Sequence, residues 1–104
     1  MNREEFLKTI EELYSQCLDT LQKKNADYAA EEDPFANFRR VEALNITSVE
    51  RGILTRISDK LARIVVLLEK APDVADESME DTIADAINYL AILYAWRKGG
   101  SKNV

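Results

Sequence analysis

Apolar residues recur at intervals of three and four along three long stretches of this chain, and that rhythm restricts the fold more than any other feature. Between about Arg3 and Lys24, Phe6, Ile10, Leu13, Cys17 and Leu21 make one stripe on a helical wheel. Up to Lys70, Ile53, Leu54, Ile57, Leu61, Ile64, Val65 and Leu68 make a wider arc. Towards Lys98, Met79, Ile83, Ala86, Ile87, Leu90, Leu93 and Tyr94 make another. Only three glycines and two prolines interrupt the chain, too few turn formers for regular β-hairpins. The pattern predicts an all-α fold: a helical bundle of three long helices plus one short helix, completed by oligomerisation because four amphipathic segments of this length enclose a small core.

The ends of the segments carry their own signals. Asp33 as N-cap with Pro34 at the first helical position opens the short helix, which carries Phe35, Phe38 and Val41 and ends near Leu44. Thr47-Ser48-Val49-Glu50 reads as a capping box in which Thr47 caps and Glu50 reaches back. Ala71-Pro72-Asp73 stops the third helix near Lys70, because proline disfavours helical geometry in the residue before it. The fourth helix is expected to start between Asp76 and Ser78 and to be released by Gly99-Gly100 after Lys98. No repeat, low-complexity tract or linker divides the 104 residues, so residues 1–100 are read as one domain and 101–104 as a frayed tail.

Composition removes whole classes of chemistry. Histidine is absent, which excludes a Ser-His-Asp triad, a Cys-His pair and a His-liganded zinc site. The single cysteine, Cys17, forms no internal disulfide and lies in the apolar stripe of the first helix, which makes it a core thiol rather than a nucleophile. Any metal must be held by carboxylate oxygens, which points to Mg²⁺ or Mn²⁺. A net charge of −5 argues against general binding to nucleic acid or anionic membranes. With no apolar run of transmembrane length and no leader pattern, the expected location is the cytoplasm, the bacterial host's if the gene is a phage's.

The connection between the first two helices is unusually rich in side chains that recognise ligands. Lys24-Asn25-Ala26-Asp27-Tyr28 is followed by Asp33-Pro34-Phe35-Ala36-Asn37-Phe38-Arg39. Rings that alternate with amides and charges suit the stacking of a planar base and the reading of its edge. On that reading Tyr28, Phe35 or Phe38 stacks, Asn25, Asp27 or Asn37 bonds the edge, and Lys24 or Arg39 meets phosphate. A plainer reading stands beside it, in which Phe35 and Phe38 plug the end of a helical bundle and Asp33 caps a helix.

Two polar helix faces supply the remaining candidates. Glu77, Asp81, Asp85 and Asn88 follow one another at four, four and three residues and so share a face. Arg56, Asp59, Lys60 and Arg63 share one on the preceding long helix. If the faces meet, carboxylates hold Mg²⁺, the metal bridges phosphate oxygens, and the arginines neutralise what is left. If they do not, both are ordinary solvated faces opposite the apolar arcs. Ala84, Ala91, Ile92 and Ala95 give the acidic helix a second apolar surface, most simply for another subunit, while Tyr89 and Trp96 point to a third side.

The loop blocks, together with Arg56-Ile57-Ser58-Asp59-Lys60-Leu61-Ala62-Arg63 and Glu77-Ser78-Met79-Glu80-Asp81-Thr82-Ile83-Ala84-Asp85-Ala86-Ile87-Asn88-Tyr89, resemble the nucleotide modification associated domain 1 family of phage and prophage proteins. The likeness covers roughly residues 20–95. A second resemblance links Glu77, Glu80, Asp81 and Asp85 to the second acidic motif of the MazG-like all-α nucleoside triphosphate pyrophosphohydrolases. The first acidic motif of those enzymes is largely replaced here, since the preceding helix offers Asp59 beside Lys60, Arg56 and Arg63.

These resemblances imply a nucleotide-binding protein of nucleotide metabolism or modification. As an enzyme, it would use Glu77, Asp81 and Asp85 as metal ligands with Asp59 assisting. It would hydrolyse a (d)NTP to (d)NMP and pyrophosphate, with Lys60, Arg56 and Arg63 stabilising developing charge. As a binding module, it would hold a nucleotide or nucleotide-derived signal without turnover, through the same cations, Asn88 and the aromatic loop. A helical adaptor with solvated polar faces is the third reading.

Overall fold

A computed structural model describes residues 1–27, 33–70 and 72–100, with the backbone alone for residues 24–27 and 72–77. Among the described residues there are four helices and no strand. They are α1 (Arg3–Asp27), α2 (Ala36–Ala43), α3 (Val49–Leu67) and α4 (Pro72–Lys98), of 25, 8, 19 and 27 residues. None of them is long and apolar enough to cross a membrane.

Local chemistry accounts for the helix ends, with some corrections to the expected positions. Asn2 caps α1, its Oδ1 accepting from the Glu5 N–H at 2.8 Å. Asp33 does not cap α2: its carboxylate accepts from the Phe35 N–H at 3.0 Å and from Arg39 Nε at 2.6 Å, so Pro34 and Phe35 form a turn and the helix begins at Ala36. This is an Asx-type turn, in which the carboxylate bonds the backbone two residues on and replaces the first helical turn. α2 ends in a Schellman motif. Asn45 adopts φ 59°, its N–H donates to Glu42 O, and the Ile46 N–H donates to Val41 O.

The cap of α3 is Ser48 and not Thr47, with the Arg51 N–H donating to Ser48 Oγ at 3.1 Å. Glu50 does not reach back to close a capping box; its carboxylate takes Arg97 Nη1 at 3.2 Å from α4. Position Val49, where the N–H of a first turn is left over, is served instead by Glu42 Oε2 at 3.3 Å. α3 stops at Leu67, and its continuation to Lys70 is a tighter turn in which the N–H groups of Glu69 and Lys70 donate to Val66 O and Leu67 O. α4 starts at Pro72, earlier than Asp76. Proline both closes the preceding turn and opens a helix at the position where its missing N–H costs nothing.

α3 and α4 form the main hairpin, α2 packs on α3, and α1 packs on α4. The core cluster is Phe35, Val49, Ile53, Ile57 and Trp96, with Phe38, Tyr89, Ile92 and Leu93 against it. Trp96 therefore belongs to the core rather than to an outer side. Phe35 meets it edge to face, with ring centroids 5.3 Å apart. Over this pair lies Arg39, its guanidinium carbon 4.8 Å from the Trp96 ring centre and its Nη2 donating to Gly100 O at 2.7 Å. The start of α2 is thereby pinned to the end of α4.

Candidate functional site

A cleft of about 700 Å³ opens where α2, α3 and α4 converge, with Leu21 of α1 at its border. From α2 and the turn before it come Pro34, Asn37, Phe38 and Val41; from α3, Gly52, Thr55 and Arg56; from α4, Asp85, Asn88, Tyr89 and Ile92. Ile46 and Thr47 of the α2–α3 connection close one end. The volume falls within the usual range for small-molecule sites.

α2 crosses α3 over the buried Gly52, with room there for ordinary side-chain contact. A Cβ there would meet Phe38 Cδ1 at 3.6 Å and Val41 Cγ1 at 3.9 Å. Phe38 is thus held against α3 while its ring meets Tyr89 edge to face, centroids 6.4 Å apart. Tyr89 in turn organises Arg56: Nε donates to the Tyr89 hydroxyl at 3.4 Å, and the guanidinium carbon lies 5.7 Å from the ring centre. This hydrogen bond, more than the neighbouring Asp59 charge, pushes Arg56 further above its ordinary pKa. The cleft therefore offers one permanent cation beside two aromatic rings.

Further along the α3–α4 seam, Lys60 Nζ stands 3.4 Å from Asp85 Oδ2, both side chains partly withdrawn from solvent. Asn88 is buried, and its Nδ2 donates to the Cys17 carbonyl at 3.2 Å. Cys17 is also buried, and desolvation first, then the Asp85 charge, pushes its thiol upward. It is the core thiol that its place in the α1 stripe suggests. The second packing surface expected on α4 is real at Ala84, which is buried with its carbonyl facing Cys17 Sγ at 3.9 Å. Its neighbour is α1 of the same chain. Ile92 lines the cleft, while Ala91 and Ala95 stay exposed.

Of the residues selected from sequence, Asn37, Phe38, Arg56, Asp85 and Asn88 line this cleft, and Lys60 reaches it through Asp85. Phe35 and Arg39 are elsewhere, one in the core and the other bound to Asp33 and Gly100. Asp59 is exposed and faces Arg56 at 3.8 Å; Arg63 and Asp81 are exposed as well. Tyr28 and the side chains of Lys24, Asn25, Asp27 and Glu77 lie outside the described residues. The oxygen ligands suit Mg²⁺ in kind, but among the described residues no three carboxylates gather, and Asp85 already faces a lysine.

Tyr89, Thr55 and Gly52 are cleft residues that the sequence reading missed or placed elsewhere. Asn88, Tyr89 and Ile92 follow Asp85 by three, four and seven residues, and Thr55 and Arg56 follow Gly52 by three and four, so the helical wheel held the signal. No family model matches the chain, and neither a curated protein nor a solved structure matches it.

Proposed function

We propose that the cleft binds a nucleotide or nucleotide-derived small molecule, in a phage-type protein that acts in nucleotide metabolism or modification. One observation carries this reading: Asn37 and Phe38, Arg56, and Asp85 with Asn88 come from three separate segments and line one cavity of suitable size. Phe38 and Tyr89 supply ring faces for a base, and Asn37 supplies an amide for its edge. Arg56 and Lys60 supply positive charge for phosphate at the cleft margin, in a protein whose overall charge is −5. Phe35 and Arg39 have no part in it, since both are committed to packing α2 on α4.

The binding form of the reading fits this geometry better than the hydrolytic one. Among the described residues, Asp85 is the proposed metal or catalytic carboxylate that lines the cleft, and it is engaged by Lys60. Hydrolysis of a (d)NTP to (d)NMP and pyrophosphate stays as the second reading because Asp81 stands one turn before Asp85 on the same helix. In that form Glu77, Asp81 and Asp85 would hold Mg²⁺ or Mn²⁺, whose chemistry is to polarise phosphate oxygens. A homo-oligomer belongs to the same reading, supported by the small buried core among the described residues.

The test is a thermal-shift screen of nucleoside mono-, di- and triphosphates with and without Mg²⁺, followed by chromatography of the incubated samples. Stabilisation with no product supports the binder. Metal-dependent formation of monophosphate and pyrophosphate supports the hydrolase. No shift with any nucleotide removes the reading.

A further inference from the structure

One end of the cleft accepts hydrogen bonds. Arg97–Glu50, Arg56–Tyr89 and Lys60–Asp85 form a ladder along the α3–α4 seam, and the ladder sets the order of the lining. Gly52 and Ile92 lie toward one end, Asp85 and Asn88 toward the other. An ionised carboxylate has about four acceptor positions and no donor. Lys60 Nζ, 3.4 Å from Asp85 Oδ2, leaves most of that capacity to a ligand.

Asn88 is oriented by the contact beneath it. The Cys17 carbonyl can only accept, so it takes the amide nitrogen of Asn88 at 3.2 Å and sets Oδ1 on the opposite side. Among the described residues no group donates to that oxygen, and no side-chain oxygen is both shut off from solvent and without a partner. Oδ1 therefore meets solvent, and for this buried residue that solvent is the cleft it lines. Thr55 adds a third acceptor: its hydroxyl hydrogen is spent on Arg51 O at 2.8 Å, which leaves its oxygen lone pairs for the cleft.

A carboxylate repels phosphate, so this end meets the part of a nucleotide that donates. Arg56, half in solvent, is the lining group suited to phosphate. Among the common bases only guanine carries two adjacent donors, its ring N1–H and its exocyclic amino group. Adenine and cytosine set one donor beside an acceptor, and uracil sets one between two acceptors.

We infer that the cleft selects a guanine-type base, whose N1–H and amino group donate to Asp85 and Asn88 while the ring lies against Phe38 and Tyr89. The inference rests on the nucleotide-binding reading and goes beyond it by naming the base. It gives Asp85 a base-reading role in place of a metal.

Titration calorimetry of the full chain with guanosine and inosine monophosphates in EDTA tests it, because the two differ only in the amino group. The guanosine form is expected to bind roughly ten- to a hundredfold more tightly, as loss of a hydrogen bond to a charged acceptor predicts. In Asp85→Ala the two should bind alike. Equal affinities in the wild type overturn the base assignment while nucleotide binding stands. A guanosine preference that survives Asp85→Ala overturns it as well, since another group then reads the amino group. Binding that appears only with Mg²⁺ overturns it by returning Asp85 to the metal. No binding of any nucleotide removes both readings. Should Asp85→Ala fail to fold, 1-methylguanosine monophosphate decides on the wild type: without N1–H it should bind at least tenfold more weakly than the guanosine form, and equal binding overturns the proposal.

Discussion

Arg56 donates from Nε to the hydroxyl of Tyr89, one helix to the next, across 3.4 Å. The contact is long for a hydrogen bond, and Arg56 keeps half of its side chain in solvent. It aims the guanidinium along the cleft without neutralising it, so an anion can still bind. Arg56→Gln is expected to weaken nucleotide binding at least tenfold, about 1.5–3 kcal/mol for a charge-assisted hydrogen bond, with little change in melting temperature. Tyr89→Phe keeps the ring and loses only the acceptor, so its affinity should lie between wild type and Arg56→Gln. Titration calorimetry with a nucleoside triphosphate checks both, and unchanged affinity in Arg56→Gln would move the phosphate site elsewhere.

Phe38 separates stacking from packing. It is partly buried and meets Tyr89 edge to face. Loss of one stacking ring costs about 1–3 kcal/mol of affinity, so Phe38→Leu should bind roughly ten- to a hundredfold more weakly. Its stability should fall by less than about 1.5 kcal/mol, because Leu preserves most of the apolar volume. A melting-temperature drop with intact affinity would make Phe38 a packing residue only.

Asn88 should be a stability residue before it is a binding one. Its amide serves the Cys17 carbonyl in a buried α1–α4 contact. Asn88→Ala removes that amide donor, while the Cys17 carbonyl keeps its partner within α1, and is expected to cost about 0.5–1.5 kcal/mol in urea unfolding. Asn88→Asp sets an acceptor against an acceptor, one turn from Asp85, and should cost more at neutral pH. Lowering the pH should recover part of that loss, because protonation restores a donor.

Two neighbouring glycines should respond in opposite ways. A Cβ at Gly100 would stand 2.7 Å from Phe35 Cε2 and 3.0 Å from Trp96 Cε3, inside a packed ring pair. Gly100→Ala is expected to destabilise by about 1–3 kcal/mol, as overpacking does. Gly99 has nothing within 4 Å of its own Cβ position, so Gly99→Ala should change the melting temperature little. Equal melting temperatures for the two variants would contradict the packing of Phe35 on Trp96.

Cys17 gives a pH dependence of definite sign. Burial raises its thiol above the value of the unfolded chain, so the native state holds this proton more tightly. The associated stability is complete below the unfolded value of about 9 and is lost as the pH climbs above it. Wild type minus Cys17→Ala stability, measured by urea unfolding, should therefore be flat from pH 6 to pH 8 and decline by pH 10, as ranges on the order of one to two pH steps either side of the thiol allow. A difference that grows with pH would reverse the assignment.

The long helices were legible in the sequence because their cause is local. A 3.6-residue period, an Asp-Pro or Ala-Pro step and a Gly-Gly stop act within a few residues, and α1, α3 and α4 lie where those patterns place helices, with shifted ends. α4 nevertheless turns Tyr89 and Trp96 to the core and leaves Leu90 and Tyr94 of its expected stripe exposed. The ends moved where one side chain had several possible donors or acceptors: Ser48 took the cap expected of Thr47, and Glu50 left for Arg97. Partner choice was not legible. The apolar arc of α3 is wider than one neighbour covers, so Ile53 and Ile57 enter the core while Leu54 and Leu61 remain outside. Arg39 and Arg56 carry the same guanidinium, yet one is locked between Asp33, Gly100 and Trp96 and the other opens into the cleft. Sequence determines which face of a helix is apolar and where its backbone can turn; which half of that face meets another helix depends on the long-range docking of α2 and α1 on the hairpin, and only the tertiary structure decided that.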